Sequence, residues 1–209
     1  MEHDRQVTNT TPDPRPTGDA PVDVAAALTL ISDENARVAR ALAEPALAAR
    51  LDEAARVIRD GRRVFALGAG RSGLALRMTA MRFMHLGLDA HVVGEATSPA
   101  IEDGDVLLVA SGSGTTAGIV SAARTAHEVG ARIVALTTAD DSPLADLADV
   151  TVLIPAAAKQ DHGGTVSAQY AGGLFELTVA LVGDAVFHAL WQASGLSADE
   201  LWPRHANLE

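Results

Sequence analysis

The sequence predicts an α/β protein: a three-layer α-β-α sandwich around a five-stranded parallel sheet. Two observations carry that prediction. Short apolar runs end in glycine-and-hydroxyl loops, as in Val64-Phe65-Ala66-Leu67 before Gly68-Ala69-Gly70-Arg71-Ser72-Gly73 and Val106-Leu107-Leu108-Val109-Ala110 before Ser111-Gly112-Ser113-Gly114-Thr115-Thr116. Runs of that length bounded by turn residues read as buried strands of a parallel sheet. They also alternate steadily with helical segments, which implies right-handed crossovers and a doubly wound sheet. A length of 209 residues suits one such domain with attachments.

Residues 1–20 are polar, carry Pro12, Pro14 and Pro16, and lack apolar periodicity, so they are expected to form a disordered tail before a single domain over residues 21–209. Val24, Ala27, Leu28, Ile31, Val38 and Leu42 recur at helical spacing between Val22 and Ala43. Pro45 opens a second helix at its first turn, and Gly61 ends it. Then come strand 64–68, a helix over 72–86, strand 90–94, strand 106–111, a helix over 115–129, strand 132–138, a short helix over 143–148 and strand 150–155. The segment from Ala156 to Ala168, with Lys159, Gln160, Asp161, His162, Gly163 and Gly164, reads as a mobile loop at the mouth of the sheet. A helix apolar nearly all round spans 171–193, and Gly195 stops it. Ser197-Ala198-Asp199-Glu200 has capping-box spacing for one last short helix.

Composition narrows the functional classes. The net charge of −11 excludes the basic footprint of a nucleic-acid surface. An anionic ligand must then be held by local amides, hydroxyls and one or two basic groups. With no cysteine, disulfides and thiolate metal sites are excluded, and the histidines lack metal-ligand spacing, so no metal is assigned. No signal-like segment opens the chain, and the most apolar helix carries Glu176, Asp184 and His188. The expectation is a soluble cytoplasmic protein with no membrane partner, rich in small apolar side chains that bury surface between subunits.

The glycine loops carry the chemistry. Glycines let backbone approach a ligand, and the following helix offers free N–H groups and its positive dipole end. Gly68-x-Gly70-x-x-Gly73 matches a dinucleotide fingerprint, with Glu95 after Val92-Val93-Gly94 as the ribose carboxylate. Against that reading stands the second, serine-rich loop. Two cradles gripping one anion suit a compact phosphate, with Gly70, Arg71, Ser72, Ser111, Gly112, Ser113, Thr115 and Thr116 as binding residues. Taken alone, Glu176 reads as a first-turn carboxylate complementing a helix dipole, and His205 as an exposed tail histidine.

These residues together resemble the sugar isomerase (SIS) domain family, and within it the 6-phospho-3-hexuloisomerases. The resemblance rests on the two loops, on Ala80-Met81-Arg82-Phe83-Met84-His85-Leu86-Gly87, Val93-Gly94-Glu95 and Phe175-Glu176, and on the ending Arg204-His205-Ala206-Asn207-Leu208-Glu209. It runs from about residue 25 to the C-terminus, and residues 1–20 have no counterpart in it. The chain departs from the family pattern at Tyr170, where a proline is expected after Gln169. The resemblance implies interconversion of D-arabino-hex-3-ulose 6-phosphate and D-fructose 6-phosphate through an enediolate, in formaldehyde fixation by the ribulose monophosphate route. It implies Glu176 as the base, His205 acting at the substrate oxygens, no cofactor, and a homotetramer built from dimers, while Glu95 and Thr97 are expected to line the sugar pocket because they follow the C-terminal end of the second strand. Two rivals share the loops: another aldose–ketose isomerase such as arabinose 5-phosphate isomerase, and a non-catalytic sugar-phosphate sensor.

Overall fold

A computed structural model of the chain describes Gly18, residues 21–156 and residues 166–208. The tail read over residues 1–20, Gly18 apart, and the loop residues Lys159 to Gly164 lie outside them. Five parallel strands, β1 (Val64–Gly68), β2 (Ala90–Val92), β3 (Val106–Ala110), β4 (Arg132–Thr137) and β5 (Val150–Leu153), form one sheet in the order β2-β1-β3-β4-β5. The α/β fold class is therefore as the apolar runs predict.

Alternation along the strands builds two cores, because successive side chains point to opposite faces. Val64, Ala66, Val106, Leu108, Val134 and Leu136 face α1 (Val24–Leu42), α2 (Pro45–Asp60), α3 (Gly70–Leu86) and α6 (Gly173–Ser194). Phe65, Leu107, Val109, Ile133 and Ala135 face α4 (Ala117–Glu128) and α5 (Pro143–Leu147). Both faces are covered, so the strands read as continuous apolar runs rather than as alternating ones. A last short helix, α7 (Ala198–Leu201), begins with the capping box that Ser197 and Glu200 form reciprocally.

Several boundaries differ from expectation for identifiable reasons. Strand β2 stops at Val92, because the chain turns at once: Glu95 N donates to Val92 O, and Gly94 takes a φ of +91°. Helix α3 starts at Gly70, so Arg71 and Ser72 lie inside its first turn. Helix α6 starts at Gly173, after a 3-10 turn over Tyr170–Gly172 in which Ala171 (φ +50°) and Gly172 (φ +81°) are both left-handed. Along α1 the buried positions are Glu34, Val38 and Leu42, whereas Val24 and Leu28 are exposed instead of packing on the sheet.

Helices α3 and α6 run side by side in the same direction, with Arg71 beside Glu176 near their N-termini and Arg82 near Asp184 further along. Their close approach depends on Gly183, where a Cβ would overlap the buried Thr79 Oγ1. Gly183→Ala is expected to overpack this contact and cost about 1–3 kcal/mol in urea unfolding. Gly118→Ala, on an open face of α4, should instead raise stability by about 0.4–1 kcal/mol. Equal unfolding midpoints for the two variants would show that α3 and α6 tolerate a wider spacing.

Candidate active site

The order β2-β1-β3 reverses direction between β1 and β3, and ligands of open α/β sheets bind outside the carboxyl ends of strands at such a switch point. Gly68 and Ala110 are register partners, so both glycine loops leave the sheet from neighbouring strand ends. The first loop is tight: a Cβ on Gly73 would overlap the Gly68 carbonyl oxygen, and Gly70 adopts a φ of +58°. Strand and helix therefore meet at backbone distance, which brings the α3 N-terminus to the crevice.

The second loop is braced from β4. Gly112 O accepts from Thr138 N at 3.0 Å, Thr138 Oγ1 at 2.8 Å and Thr137 Oγ1 at 3.2 Å. Gly114 has a φ of +63°, and a Cβ there would collide with Ser142 Oγ. Ser111 Oγ and Thr116 Oγ1 share a hydrogen bond of 3.1 Å across the loop. Ser113 Oγ accepts from Thr115 N at 3.3 Å and Thr115 Oγ1 at 3.0 Å. The buried ring of Phe175 lies against Gly112, so the first turn of α6 seats directly on this loop.

Glu176 comes next in the chain after Phe175 and is buried, its side chain 6% exposed. Arg71 Nε donates to Glu176 Oε2 at 2.6 Å, while the Arg71 side chain is 65% exposed. Both residues, with Gly70, border an open cavity of about 690 Å³. Its other walls are Ala27, Leu30 and Ile31 of α1 and the segment Ala168, Gln169, Tyr170, Ala171 and Gly173.

The structure distributes the expected site residues unevenly. Gly70, Arg71 and Glu176 share the cavity. Ser72 is buried within the first turn of α3. Ser111, Gly112, Ser113, Thr115 and Thr116 lie on the adjoining strand end, outside the cavity lining. Glu95 pairs with Arg77 on the outer flank of α3, Thr97 is exposed, and neither borders the cavity. His205 lies at the other end of α3, its ring stacked on His85 at 3.9 Å and near Trp202 at 4.6 Å. Burial, and to a lesser extent His205 and Arg82, lower the His85 pKa below the usual histidine value. Along α3, Arg71 and His85 are about 21 Å apart at 1.5 Å per residue, so one chain does not bring His205 to Glu176.

Sequence reasoning missed the α1 wall and Gln169. No motif marks Ala27, Leu30 and Ile31. Their visible trace is an apolar helix surface wider than the sheet needs. Gly73→Ala should push α3 off β1, cost about 1–3 kcal/mol of stability, and weaken inorganic phosphate binding in calorimetry. Unchanged phosphate affinity in a destabilised variant would separate the loop from anion binding.

The SIS domain family model matches residues 57–179, which run from the last turn of α2 to the first turns of α6. The chain is 56% identical over 187 residues to the 3-hexulose-6-phosphate isomerase of Mycobacterium gastri, covering 90% of this chain and 92% of that protein. It is 38% identical to the 3-hexulose-6-phosphate isomerase of Bacillus subtilis, covering 76% and 86% respectively. Among solved structures it resembles a hypothetical protein of Methanococcus jannaschii for which a 3-hexulose-6-phosphate isomerase function has been inferred. That pair has a TM-score of 0.75 and 28% identity, over 88% of this chain and 99% of the other. A chain with this sheet order, these two loops and these relatives belongs to the SIS domain family.

Proposed function

We propose that this protein is a ketose-phosphate isomerase that interconverts D-arabino-hex-3-ulose 6-phosphate and D-fructose 6-phosphate in the ribulose monophosphate pathway, and so serves formaldehyde assimilation in the cytoplasm. The observation that carries the reading is a buried carboxylate, Glu176, lining a cavity beside two glycine-and-hydroxyl loops. The 3-hexulose-6-phosphate isomerases among its relatives support the choice of substrate.

The reaction moves a carbonyl from C3 to C2. Glu176 takes the C2 proton, the electrons form an enediolate across C2 and C3, and the same carboxyl returns the proton to C3. One carboxylate on one face can do both transfers. Arg71 orients the carboxylate through its Nε hydrogen bond. The second loop, with Ser111, Ser113, Thr115 and Thr116 before the α4 N-terminus, suits the phosphate. Glu176→Gln is expected to lower turnover about 10²–10⁴-fold with the fold intact. Ser111→Ala and Thr116→Ala should weaken fructose 6-phosphate binding by about 1.5–3 kcal/mol each, while free fructose changes little. Near-normal kcat in Glu176→Gln would remove the mechanism, and equal losses for sugar and sugar phosphate would remove the phosphate loop.

His205 acts at the oxygens of the enediolate from a neighbouring copy. Support comes from the exposed apolar stripe Leu74, Met78 and Met81 on α3, continued by Leu177 and Leu181 on α6. Met78 is the midpoint of α3 (Gly70–Leu86). A two-fold axis there sets Arg71 of one copy opposite His85 of the other, and His205 is stacked on His85. A second exposed apolar surface, Val22, Val24 and Leu28, suits the further contact of a dimer of dimers. When Glu176→Gln and His205→Ala proteins exchange subunits, one site of each mixed pair collects both lesions and the other neither. With random pairing, activity should climb toward roughly a quarter of wild-type sites. A mixture that exchanges subunits by mass spectrometry yet stays inactive would remove His205 from the neighbour's site.

A further inference from the structure

Glu34 stands where α1 needs an apolar residue, on the face that Val38 and Leu42 bury. A carboxylate left unpartnered there would be costly, and this one is engaged at both oxygens. Oε2 accepts from Ser167 Oγ at 2.7 Å and Gln169 Nε2 at 2.9 Å, and Oε1 accepts from Ala168 N at 2.9 Å. Ser167 Oγ in turn accepts from Gln169 N at 3.0 Å, and Arg37 lies 4.0 Å from Oε1. Burial pushes the Glu34 pKa up, but the hydrogen bonds from Ser167, Ala168 and Gln169, with Arg37, outweigh it and hold the carboxyl below its usual range.

Three consecutive residues, remote in sequence, are thus fastened to one side chain. The turn just downstream of them leads into the site. Ala171 is the only non-glycine residue with positive φ among the described residues, and Gly172 repeats that conformation before α6 begins. Such backbone persists only where its surroundings over-determine it. Ser167 to Gln169 supply that determination on the upstream side. On the other side, the first turn of α6 carries Glu176 into the cavity, of which Ala168 and Gln169 are also walls.

We propose that Glu34 is a positioning residue: by clamping Ser167, Ala168 and Gln169 to α1, it sets the left-handed turn that starts α6 and so aims the Glu176 carboxylate at the substrate. The proposal rests on Glu176 as the base. It separates Glu34, bonded to Ser167, Ala168 and Gln169, from the phosphate loops, which hang on β1 and β3 and meet α6 through Arg71 on Glu176 and Gly112 against Phe175.

Glu34→Gln in the full chain keeps one acceptor but sets an amide NH₂ against that of Gln169. The expected result is a kcat lower by about 10–100-fold with KM within about threefold, since geometry at the base is lost and binding is kept. Hydrogen exchange at the Ala168 amide should quicken by at least about tenfold. The double exchange Glu34→Gln with Gln169→Glu restores a donor facing an acceptor, and kcat should return to within about threefold of wild type. A kcat loss that only tracks the unfolded fraction, a KM that rises as much as kcat falls, or a double exchange that recovers melting temperature without turnover would each overturn the positioning role. Glu176→Gln is measured alongside. Near-normal turnover in that variant removes the base assignment, whereas near-normal turnover in Glu34→Gln removes the positioning role alone.

Discussion

The close parallel packing of α3 and α6 is the contact on which the rest of this structure depends. Helix α6 is apolar nearly all round and, with the turn before it, long enough by length and composition to span a membrane, yet half of its most apolar stretch is buried inside the protein. It finds that burial against α3 and the sheet, and Gly183 under Thr79 sets how near the two axes come. Because the helices run the same way, their N-terminal ends reach the same edge. Arg71 and Glu176 meet there at 2.6 Å, beside the strand ends from which both glycine loops emerge. A wider spacing would part the carboxylate from the guanidinium and lift Phe175 off Gly112.

The strands, their order of appearance and the identity of the helices were legible because this sheet is covered on both faces. Each strand is then a short apolar run ending in turn residues, a signal that survives without any knowledge of the partner strands. The loops were legible for a related reason. Gly68 and Gly73 are demanded by backbone contact, and Gly70 and Gly114 by positive φ, so the residue type itself records the geometry. Helix starts were less legible. Tyr170, Ala171 and Gly172 continue the apolar pattern of α6 but adopt a left-handed turn just after residues bonded to a distant helix, which no local pattern encodes. The same holds for Glu34, whose only trace is a carboxylate at the step between Ile31 and Val38 on an otherwise apolar ladder. Glu95 is a different case: it comes just after a strand end, and its partner is Arg77 on the flank of α3, a contact that no local pattern encodes either.

Charge imposes a second constraint. The chain carries a net −11 and its proposed substrate is an anion, so long-range attraction works against binding. Among the described residues that line the cavity, Arg71 is the only basic side chain, and its Nε is engaged by Glu176. Affinity must therefore come from short-range groups that do not depend on net charge. In the proposed site, the N-termini of α3 and α4 and the hydroxyls of the second loop are such groups, and the sheet register holds them in place. The proposed phosphate groups are consequently mounted on the strand ends and the proposed base on α6, with Arg71 joining the two.

That division has a consequence for how the site tolerates change. The proposed phosphate loops are anchored by strand pairing and by glycines, whereas Glu176 is anchored by α6, by the turn before it and by its bond from Arg71. Loss of a hydroxyl from the second loop should alter affinity for phosphorylated ligands and leave the carboxylate where it is. Lesions in the anchoring of Glu176 should leave the anion bound but the proton out of reach. His205 belongs to neither set within one chain, because α3 places its length between that ring and the carboxylate. The length of α3 that separates them in one copy is also what an antiparallel second copy would cancel. A site that needs both groups is then complete only after assembly, and the exposed apolar stripe on α3 is the surface on which that assembly can occur.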